Sequence, residues 1–324
     1  MNLLIIGDYP VATQARMRAA FPDEWQIAIA APDACAPYLA DAEVVIPEHV
    51  LVDDAFLAQA PRLRFVQVGA GYDNVDLAAC SRRGVQVCNA AGLNADAVAE
   101  HVMALLLCHY KNICPLNQFM HTGGSAPLPD YHGGELSGRT LGLVGLGHIG
   151  RAVAVRAQAF GLRVLGWSYR PIDVPGVEFV LLSQLFAESD IVSLHVPLKA
   201  NTRHLIDDAA FAQMKTGALL INTARGGLID EAALVRALQR GTLGGACLDV
   251  FAEEPLPAES SLRQLDNVIL TPHTAGYPDG PKFHAKRIAY FAANIQRWLA
   301  GDEPQGKLNN LAEEGLQKYF SGCF

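Results

Sequence analysis

The chain lacks several features that would assign it to other classes of protein. No apolar stretch reaches the length that crosses a membrane, and the run Leu3–Ile6 is too short for the core of a signal peptide. The 324 residues carry a formal net charge of −8 without a basic stripe, so nucleic acid is not expected as a partner. The seven cysteines form no C-x-x-C pair, which favours reduced thiols in a cytoplasmic protein. The histidines show no metal-ligand spacing, so no metal site is expected.

What the chain has instead is a repeated alternation of short apolar segments with amphipathic ones. This alternation indicates an α/β architecture, in which helices cover both faces of parallel sheets, and the length suggests two domains. Strands are predicted at Leu3–Ile6, Gln26–Ala30, Val44–Ile46, Phe65–Val68, Gln86–Cys88, Leu162–Trp167, Ile191–Leu194, Leu219–Asn222, Ala246–Val250 and Val268–Leu270. Helices are predicted around 13–20, 54–60, 75–82, Ala95–His109 and 282–300, and a glycine- and proline-rich loop or arm over 121–138.

The most informative segment is Leu141–Gly150, in which an apolar strand runs into a glycine-rich turn and then a helical pattern. In a strand-turn-helix that binds a pyrophosphate, Gly145 allows the tight turn, Gly147 lets the backbone approach the ligand and Gly150 lets helix and strand pack closely. The anion then lies on the unsatisfied N–H groups at the helix N-terminus. A second strand at Leu162–Trp167 completes a βαβ unit, which favours dinucleotide binding over a purely structural turn.

Three polar motifs follow predicted strands in the second half of the chain, and they contain Arg225, Glu254 and His273. Ligands of open parallel sheets bind outside the carboxyl ends of the strands, so these side chains are expected to converge. A guanidinium can bind a substrate carboxylate and polarise the adjacent carbonyl. An imidazole can give or take the hydroxyl proton as hydride moves, and a carboxylate on its other nitrogen fixes the tautomer and stabilises the imidazolium.

Each of these residues also has a purely structural interpretation. Arg225 and Glu254 could form a structural ion pair, and His273 alone could be an ordinary core histidine. Their joint position after a dinucleotide fingerprint favours catalysis. Glu100 and His101 superficially resemble a second dyad, but sequence neighbours diverge on a helix, so they are interpreted as structural.

Several motifs together resemble those of the D-isomer-specific 2-hydroxyacid dehydrogenases, from about residue 60 to residue 310. They are Val-Gly-Ala-Gly-Tyr-Asp-Asn-Val-Asp (68–76), Ala-Val-Ala-Glu-His (97–101), Gly-Leu-Val-Gly-Leu-Gly-His-Ile-Gly (142–150), His-Val-Pro-Leu (195–198), Asn-Thr-Ala-Arg-Gly (222–226), Leu-Asp-Val-Phe-Ala-Glu-Glu-Pro (248–255) and Thr-Pro-His-Thr-Ala (271–275). The resemblance implies two doubly wound parallel-sheet domains, a Rossmann cofactor domain inserted into a flavodoxin-like substrate domain. The expected boundaries are 1–96 and 277–324 for the substrate domain and 97–276 for the dinucleotide-binding domain.

The same resemblance implies roles for individual residues, with Arg225, Glu254 and His273 as the catalytic triad. The substrate carboxylate would lie on Arg225 and on the backbone N–H groups of Val68, Gly69, Ala70 and Gly71. Asp249 would hold the nicotinamide carboxamide. The other cofactor contacts would come from Gly145, Gly147, His148, Ile149, Gly150, Arg151, Ser168, Arg170, Val196, Pro197, Thr202, Thr223, Ala224, Arg225 and His273. A homodimer formed through the cofactor domain and the 115–138 arm is also implied.

The residues after the second strand of the βαβ unit predict the cofactor. NAD enzymes usually place a carboxylate there for the ribose hydroxyls, whereas this chain has Ser168 and Arg170. Without the carboxylate a 2′-phosphate is not repelled, and these two residues supply a hydrogen bond and a compensating charge, with Arg151 adding to the field. NADPH is therefore expected. The alternative is that Arg170 is a solvated surface residue and that NAD binds.

The substrate is expected to be a small 2-keto acid, reduced to the D-2-hydroxy acid. The Glu254–His273 pair argues against a formate dehydrogenase-like reaction, and Ala70 stands where phosphite-oxidising relatives carry lysine. The chain looks most like the glyoxylate/hydroxypyruvate reductases, but it departs from the family pattern over residues 276–281 and lacks the customary tryptophan before Glu135. These departures leave the acyl-chain preference open. An NAD-dependent dehydrogenase of other substrate preference and a non-catalytic NAD(P)H-sensing, corepressor-like scaffold are the alternatives.

Overall fold

Two parallel β-sheets organise the chain, and each belongs to a separate unit. One unit combines Met1–Asn94 with Asp279–Phe324, and the other is Ala95–Pro278. The computed structural model describes residues 1–48, 50–124, 134–277 and 285–310. Helices accompany both sheets, which confirms the predicted α/β class with two parallel-sheet domains.

The first sheet has five parallel strands in the order β2-β1-β3-β4-β5. They are β1 (Asn2–Ile6), β2 (Gln26–Ala30), β3 (Val44–Pro47), β4 (Phe65–Gln67) and β5 (Gln86–Cys88). The helices between them are α1 (Val11–Arg18), α2 (Ala36–Leu39), α3 (Asp54–Gln59) and α4 (Leu77–Arg82), with a 3₁₀ turn at Pro32–Ala34. This is the flavodoxin-like order, whose topological switch point lies between β1 and β3.

The second sheet has seven parallel strands in the order β12-β11-β10-β9-β6-β7-β8. They are β6 (Thr140–Val144), β7 (Arg163–Trp167), β8 (Val177–Phe179), β9 (Ile191–Leu194), β10 (Ala218–Asn222), β11 (Leu243–Leu248) and β12 (Val268–Leu270). The helices are α5 (Ala95–Tyr110), α6 (Ile113–His121), α7 (His148–Ala159), α8 (Leu182–Glu188), α9 (Asp208–Gln213) and α10 (Glu231–Gln239), with 3₁₀ turns at Gly226–Leu228 and Ser261–Gln264. Counted from β6, the order is that of a Rossmann sheet, with the switch point between β6 and β9.

The last described helix, α11 (Ala285–Leu299), returns to the first unit. Its residues Ile288, Phe291 and Ile295 recur at helical spacing on one face. All three are buried, in an apolar cluster that includes Ile5 and Phe65 from the first sheet. Residues 282–284, which the sequence pattern assigns to the start of this helix, lie outside the described residues.

One strand differs from its predicted position. β11 covers Leu243–Leu248 instead of Ala246–Val250, because Gly244 and Gly245 lie in its first half although glycine has a low strand propensity. The strand also ends earlier than predicted. The Asp249 N–H still donates to the carbonyl of Asn222 at 3.0 Å, but the Asp249 carbonyl accepts from the His273 N–H at 2.8 Å and so binds a loop.

The sequence pattern did not predict α6 and β8. Pro115 lies in the first turn of α6, where proline is tolerated but where it obscures the helical pattern. β8 is short, and its residues Glu178 and Phe179 are exposed, so it lacks the apolar run of a central strand. Of the predicted 121–138 loop, residues 122–124 and 134–138 contain no helix or strand, and residues 125–133 lie outside the described part of the chain.

Candidate active site

The turn between β6 and α7 carries the three glycines of the predicted dinucleotide site. Gly145 has a φ of 112°, and a Cβ atom there would lie 2.5 Å from the carbonyl oxygen of His195. A Cβ on Gly150 would overlap the carbonyl oxygen of Gly145, so the absence of a side chain lets α7 pack closely on the turn. A Cβ on Gly147, the N-cap of α7, would meet no described atom within 4 Å. A ligand can therefore approach the backbone at Gly147.

Two further observations fit a nicotinamide dinucleotide. No side chain caps the N-terminus of α7, so the first N–H groups of this helix can bind a pyrophosphate. Among the described residues, the buried hydroxyl of Thr223 has no hydrogen-bond partner, as expected of a group that a ligand completes. His148 and Arg151 are exposed on the first turn of α7, next to half-buried Ile149.

The predicted selector of the cofactor follows β7 and lies beside the glycine turn, because the Gly145 N–H donates to the carbonyl of Trp167 at 2.8 Å. Ser168 is half-buried and Arg170 is exposed. The Ser168 hydroxyl donates to the carbonyl of Arg170 at 2.5 Å, which closes a tight turn. No carboxylate stands within this turn, so its electrostatic character is that of a hydroxyl and a guanidinium.

The loop after β9 contributes a second group of predicted cofactor residues, Val196, Pro197 and Thr202. Thr202 is fully buried, and its hydroxyl donates to the carbonyl of Pro197 at 2.8 Å and accepts from the Lys199 N–H at 2.7 Å. This threonine therefore closes the loop, with its hydroxyl engaged inside the protein. His195 precedes the loop, and burial lowers the pKa of its imidazole to about 4.

The loop after β10 positions Arg225 through a fully buried asparagine. The Asn222 side chain accepts from the Ala224 N–H at 3.0 Å and donates to the carbonyl of Arg225 at 2.9 Å. The next residue, Gly226, packs so closely that a Cβ there would overlap the backbone of Phe251. The loop that carries Arg225 therefore lies directly against the loop that follows β11.

Glu254 and His273 form a hydrogen-bonded pair. The Glu254 Oε2 atom lies 2.6 Å from His273 Nδ1, and the side chains are 29% and 33% exposed. The other carboxylate oxygen of Glu254 accepts from the Phe251 N–H at 3.1 Å, which fixes its orientation. Because Nδ1 serves the glutamate, Nε2 is the nitrogen that can exchange a proton with a substrate.

Asp249 accepts several hydrogen bonds from within the protein. It is fully buried, and its carboxylate accepts from the Thr271 hydroxyl at 2.6 Å, the Thr274 N–H at 2.9 Å and the Ala275 N–H at 3.0 Å. These bonds hold the loop on which His273 adopts a left-handed φ of 52°, a conformation that needs support from its surroundings. Sequence reasoning missed this role, because the donors lie far along the chain and two of them are backbone groups.

His101 also belongs to this network. Its Nε2 atom lies 3.1 Å from the Thr271 hydroxyl and 3.7 Å from Asp249 Oδ1. The neighbouring Glu100 instead lies 3.3 Å from Arg156. The two side chains therefore have separate partners, and His101 supports the loop of His273.

In the other unit, the loop of residues 68–71 follows β4. The carbonyl of Gly69 accepts from the Ala90 N–H at 3.0 Å, and the carbonyl of Ala70 accepts from the Asn89 side chain at 3.2 Å. With the carbonyls held in this way, the N–H groups of the last three loop residues donate to no protein acceptor among the described residues. Such a run of N–H groups suits an anion.

Val68 differs from the rest of this loop. Its N–H donates to the carbonyl of Cys88 at 2.9 Å and is therefore already used within the sheet.

Within the described ranges, no group of three or more histidine, cysteine or acidic side chains could hold a metal ion. No helix in the same ranges is long and apolar enough to span a bilayer.

Comparisons with known proteins identify the family of the chain. Residues 103–275 match the family model described as "D-isomer specific 2-hydroxyacid dehydrogenase, NAD binding domain". A glyoxylate reductase of Korarchaeum cryptofilum is 38% identical over 268 residues, which are 80% of each chain. An (S)-sulfolactate dehydrogenase of Chromohalobacter salexigens is 43% identical over 239 residues, covering 72% of this chain and 77% of that protein.

A solved structure extends the likeness over almost the whole chain. It is an acyclic imino acid reductase (Bsp5) in complex with NADPH and D-Arg, with a TM-score of 0.83 and 28% identity over 95% of this chain and 100% of that chain. The chain described here belongs to the D-isomer-specific 2-hydroxyacid dehydrogenases. It is an NAD(P)-dependent D-2-hydroxyacid dehydrogenase that acts on 2-keto and 2-hydroxy acids.

Proposed function

We propose that this enzyme reduces a small 2-keto acid of the glyoxylate or hydroxypyruvate type to the D-2-hydroxy acid, with NADPH as the reductant and His273 as the proton donor. The observation that carries this proposal is the 2.6 Å hydrogen bond between Glu254 and His273. A carboxylate partner stabilises the imidazolium, and an imidazolium is the form that a reductase needs. The glyoxylate reductase name of one relative supports the substrate class.

Each catalytic residue has a separate task in this proposal. When bound, the nicotinamide supplies the hydride. His273 delivers a proton from Nε2 to the carbonyl oxygen as the carbon is reduced. Arg225 binds the substrate carboxylate and polarises the carbonyl, and the N–H groups of residues 69–71 bind the same carboxylate.

In this proposal both backbone N–H groups and side chains bind the dinucleotide. The pyrophosphate binds the first N–H groups of α7 beside Gly147, and the Thr223 hydroxyl is a donor for the nicotinamide end. Because Asp249 already accepts three hydrogen bonds, we assign it to the support of the His273 loop as well as to the carboxamide contact that the family resemblance implied.

The preference for NADPH follows from the turn after β7. Ser168 and Arg170 face a 2′-phosphate without a competing carboxylate, and one structural relative binds NADPH, although the family model is described by NAD. The test is the ratio of kcat/KM for NADPH to that for NADH. We expect a ratio well above ten in the wild type and a fall of roughly tenfold or more in Ser168→Asp, because the new carboxylate repels the phosphate. Comparable values for the two cofactors in the wild type would refute the preference.

A panel of 2-keto acids, assayed with both cofactors, tests the reaction itself. We expect the highest kcat/KM with glyoxylate or hydroxypyruvate. Because the second relative is named a sulfolactate dehydrogenase, sulfopyruvate is the most informative alternative substrate in the panel. A higher kcat/KM with sulfopyruvate than with glyoxylate or hydroxypyruvate would refute the proposed substrate. Absence of turnover for every keto acid, combined with tight NADPH binding, would favour the corepressor-like scaffold.

We also propose that the protein is a cytoplasmic homodimer formed through the cofactor unit. α6 has no buried residue, and its Ile113 and Met120 side chains are 47% and 64% exposed, which suits a helix that a second copy covers. The six described cysteines are all free thiols, as in a protein of a reducing compartment. Light scattering of the wild type and of Met120→Glu tests the dimer, and a monomeric wild type would refute it.

A further inference from the structure

A buried ion pair lies beside the 68–71 loop. Glu48 follows β3 at the switch point of the first sheet, and Arg287 lies in the first turn of α11. The Glu48 Oε1 atom lies 2.6 Å from Arg287 Nη2, and the two side chains are only 11% and 12% exposed. Burial of two charges carries a large desolvation penalty, so this pair requires an explanation.

The guanidinium of Arg287 lies close to the loop at Gly69. A Cβ atom on Gly69 would lie 3.4 Å from Arg287 Nη1, so a side chain at this position would contact the guanidinium. The ring of Phe291, one turn further along α11, lies 5.7 Å from the guanidinium carbon, within the range of a cation–π contact. Glu48 thus binds Nη2, and Nη1 is the nitrogen that lies near the loop.

Hydrogen bonds also anchor the carbonyls of the loop. The carbonyls of Gly69 and Ala70 accept from Ala90 and Asn89, and the Asn89 carbonyl accepts from the hydroxyl of Tyr290 on α11 at 3.2 Å. A loop that is anchored at its carbonyls, with a held cation close to Gly69, has little freedom to rotate its peptide planes. Its N–H groups therefore keep one direction.

We propose that Arg287, held in place by Glu48, is a positioning residue that orients the 68–71 loop for the substrate carboxylate. The assignment rests on the proposed function, in which this loop binds the keto acid. Because the pair acts on substrate binding and touches neither the hydride nor the proton in transit, its loss affects KM for the keto acid and leaves kcat nearly intact.

The experiment compares four full-length variants with the wild type in steady-state reduction of glyoxylate by NADPH. The variants are Arg287→Met, Glu48→Gln, the double variant and Lys286→Met, whose exposed lysine on the same helix turn makes it a matched control for charge. We expect Arg287→Met to raise KM for glyoxylate by roughly tenfold, with kcat and KM for NADPH each changed less than about twofold. The double variant is expected to show less than the sum of the single effects, because removal of both partners leaves no unpaired buried charge.

Circular dichroism establishes that each variant is folded. If Arg287→Met does not fold, Arg287→Lys replaces it, since lysine keeps the charge but cannot serve Glu48 and the loop at once; we then expect a rise in KM of roughly threefold or more. An active wild type with KM for glyoxylate unchanged in the folded variants overturns this inference and leaves the proposed function standing. Equal losses for glyoxylate and NADPH would also overturn it, as they indicate a general structural role. A wild type that reduces no keto acid overturns the proposed function and this assignment together.

Discussion

Two loops of the cofactor unit, after β9 and after β12, each carry a histidine, and their surroundings give the two rings opposite properties. Burial lowers the pKa of His195 to about 4, and its Nε2 lies 2.9 Å from the Ser193 hydroxyl. His273 is one-third exposed and lies 2.6 Å from a carboxylate. A ring that stays neutral cannot deliver a proton at neutral pH, whereas a paired and accessible ring can. In the proposed reaction, its carboxylate partner and its access to solvent make His273, and not His195, the residue that delivers the proton.

The largest expected effect comes from removing the ring of His273. We expect His273→Ala to lower kcat by roughly 10³-fold, because the proton then has no positioned donor, while the dissociation constant for NADPH changes little. Stopped-flow kinetics and fluorescence titration measure the two quantities. His121→Ala, which changes an exposed histidine, is the control. Retained turnover together with lost NADPH binding would contradict the assigned role.

A smaller loss of kcat is expected when the hydrogen bonds that support the His273 loop are weakened. In Asp249→Asn, an amide replaces one acceptor oxygen and faces a backbone N–H, so a buried donor loses its partner. We expect the free energy of unfolding to fall by about 2–3 kcal/mol and kcat to fall up to about a hundredfold. Asp208→Asn removes an exposed ion pair with Arg236 and is expected to change the free energy of unfolding by less than about 1 kcal/mol. Equal stability changes in the two variants would refute the supporting role of Asp249.

The effect of removing the charge of Glu254 sharpens the comparison further. Glu254→Gln keeps the shape of the side chain but takes the anion away from His273. We expect kcat for reduction to fall roughly tenfold, because the His273 ring loses the charged partner that fixes its orientation and tautomer. The neighbouring variant Glu253→Gln controls for charge, and an equal fall in kcat in both variants would contradict the pairing.

The last effect leaves the reaction aside, concerns stability at acidic pH alone and tests the neutral histidine. The pKa of His195 is lowered to about 4 in the folded protein from about 6.5 in the unfolded chain. Between these values the unfolded chain binds the extra proton, so the free energy of unfolding falls as the pH drops from about 6.5 to 4. We expect His195→Asn to flatten this part of the profile in urea titrations, by an amount on the order of 3 kcal/mol. His121→Asn should keep the slope of the free energy of unfolding against pH. An unchanged slope in His195→Asn would refute the lowered pKa of His195.

Much of the fold could be predicted from the sequence wherever the residues of a single segment determine its secondary structure locally. β9 and β12 have the predicted bounds, because short runs of mostly branched aliphatic residues between turn residues are typical of parallel strands. β11 was misplaced because two glycines lie in its first half. The fingerprint turn was readable because three glycines have separate local roles.

What could not be predicted depends on partners distant in sequence. The carboxylate of Asp249 is bound by backbone groups of residues 274 and 275, and Glu48 meets Arg287 only because α11 returns to the first sheet. Likewise, no local pattern distinguishes His195, whose pKa is lowered, from His273 beside its carboxylate, since the surroundings of each ring depend on the packing of the whole sheet.

The return of α11 has a consequence for how the protein is made. Phe291 and Ile295 fill the same cluster as Ile5 and Phe65, so the sheet of β1–β5 lacks part of its interior until α11, which lies about 200 residues further along the chain than β5, has been synthesised. The middle of the chain, by contrast, holds all the strands of its own sheet well before that point. Translation therefore completes the inserted unit first and the amino-terminal unit last, the reverse of the order in which domains usually mature.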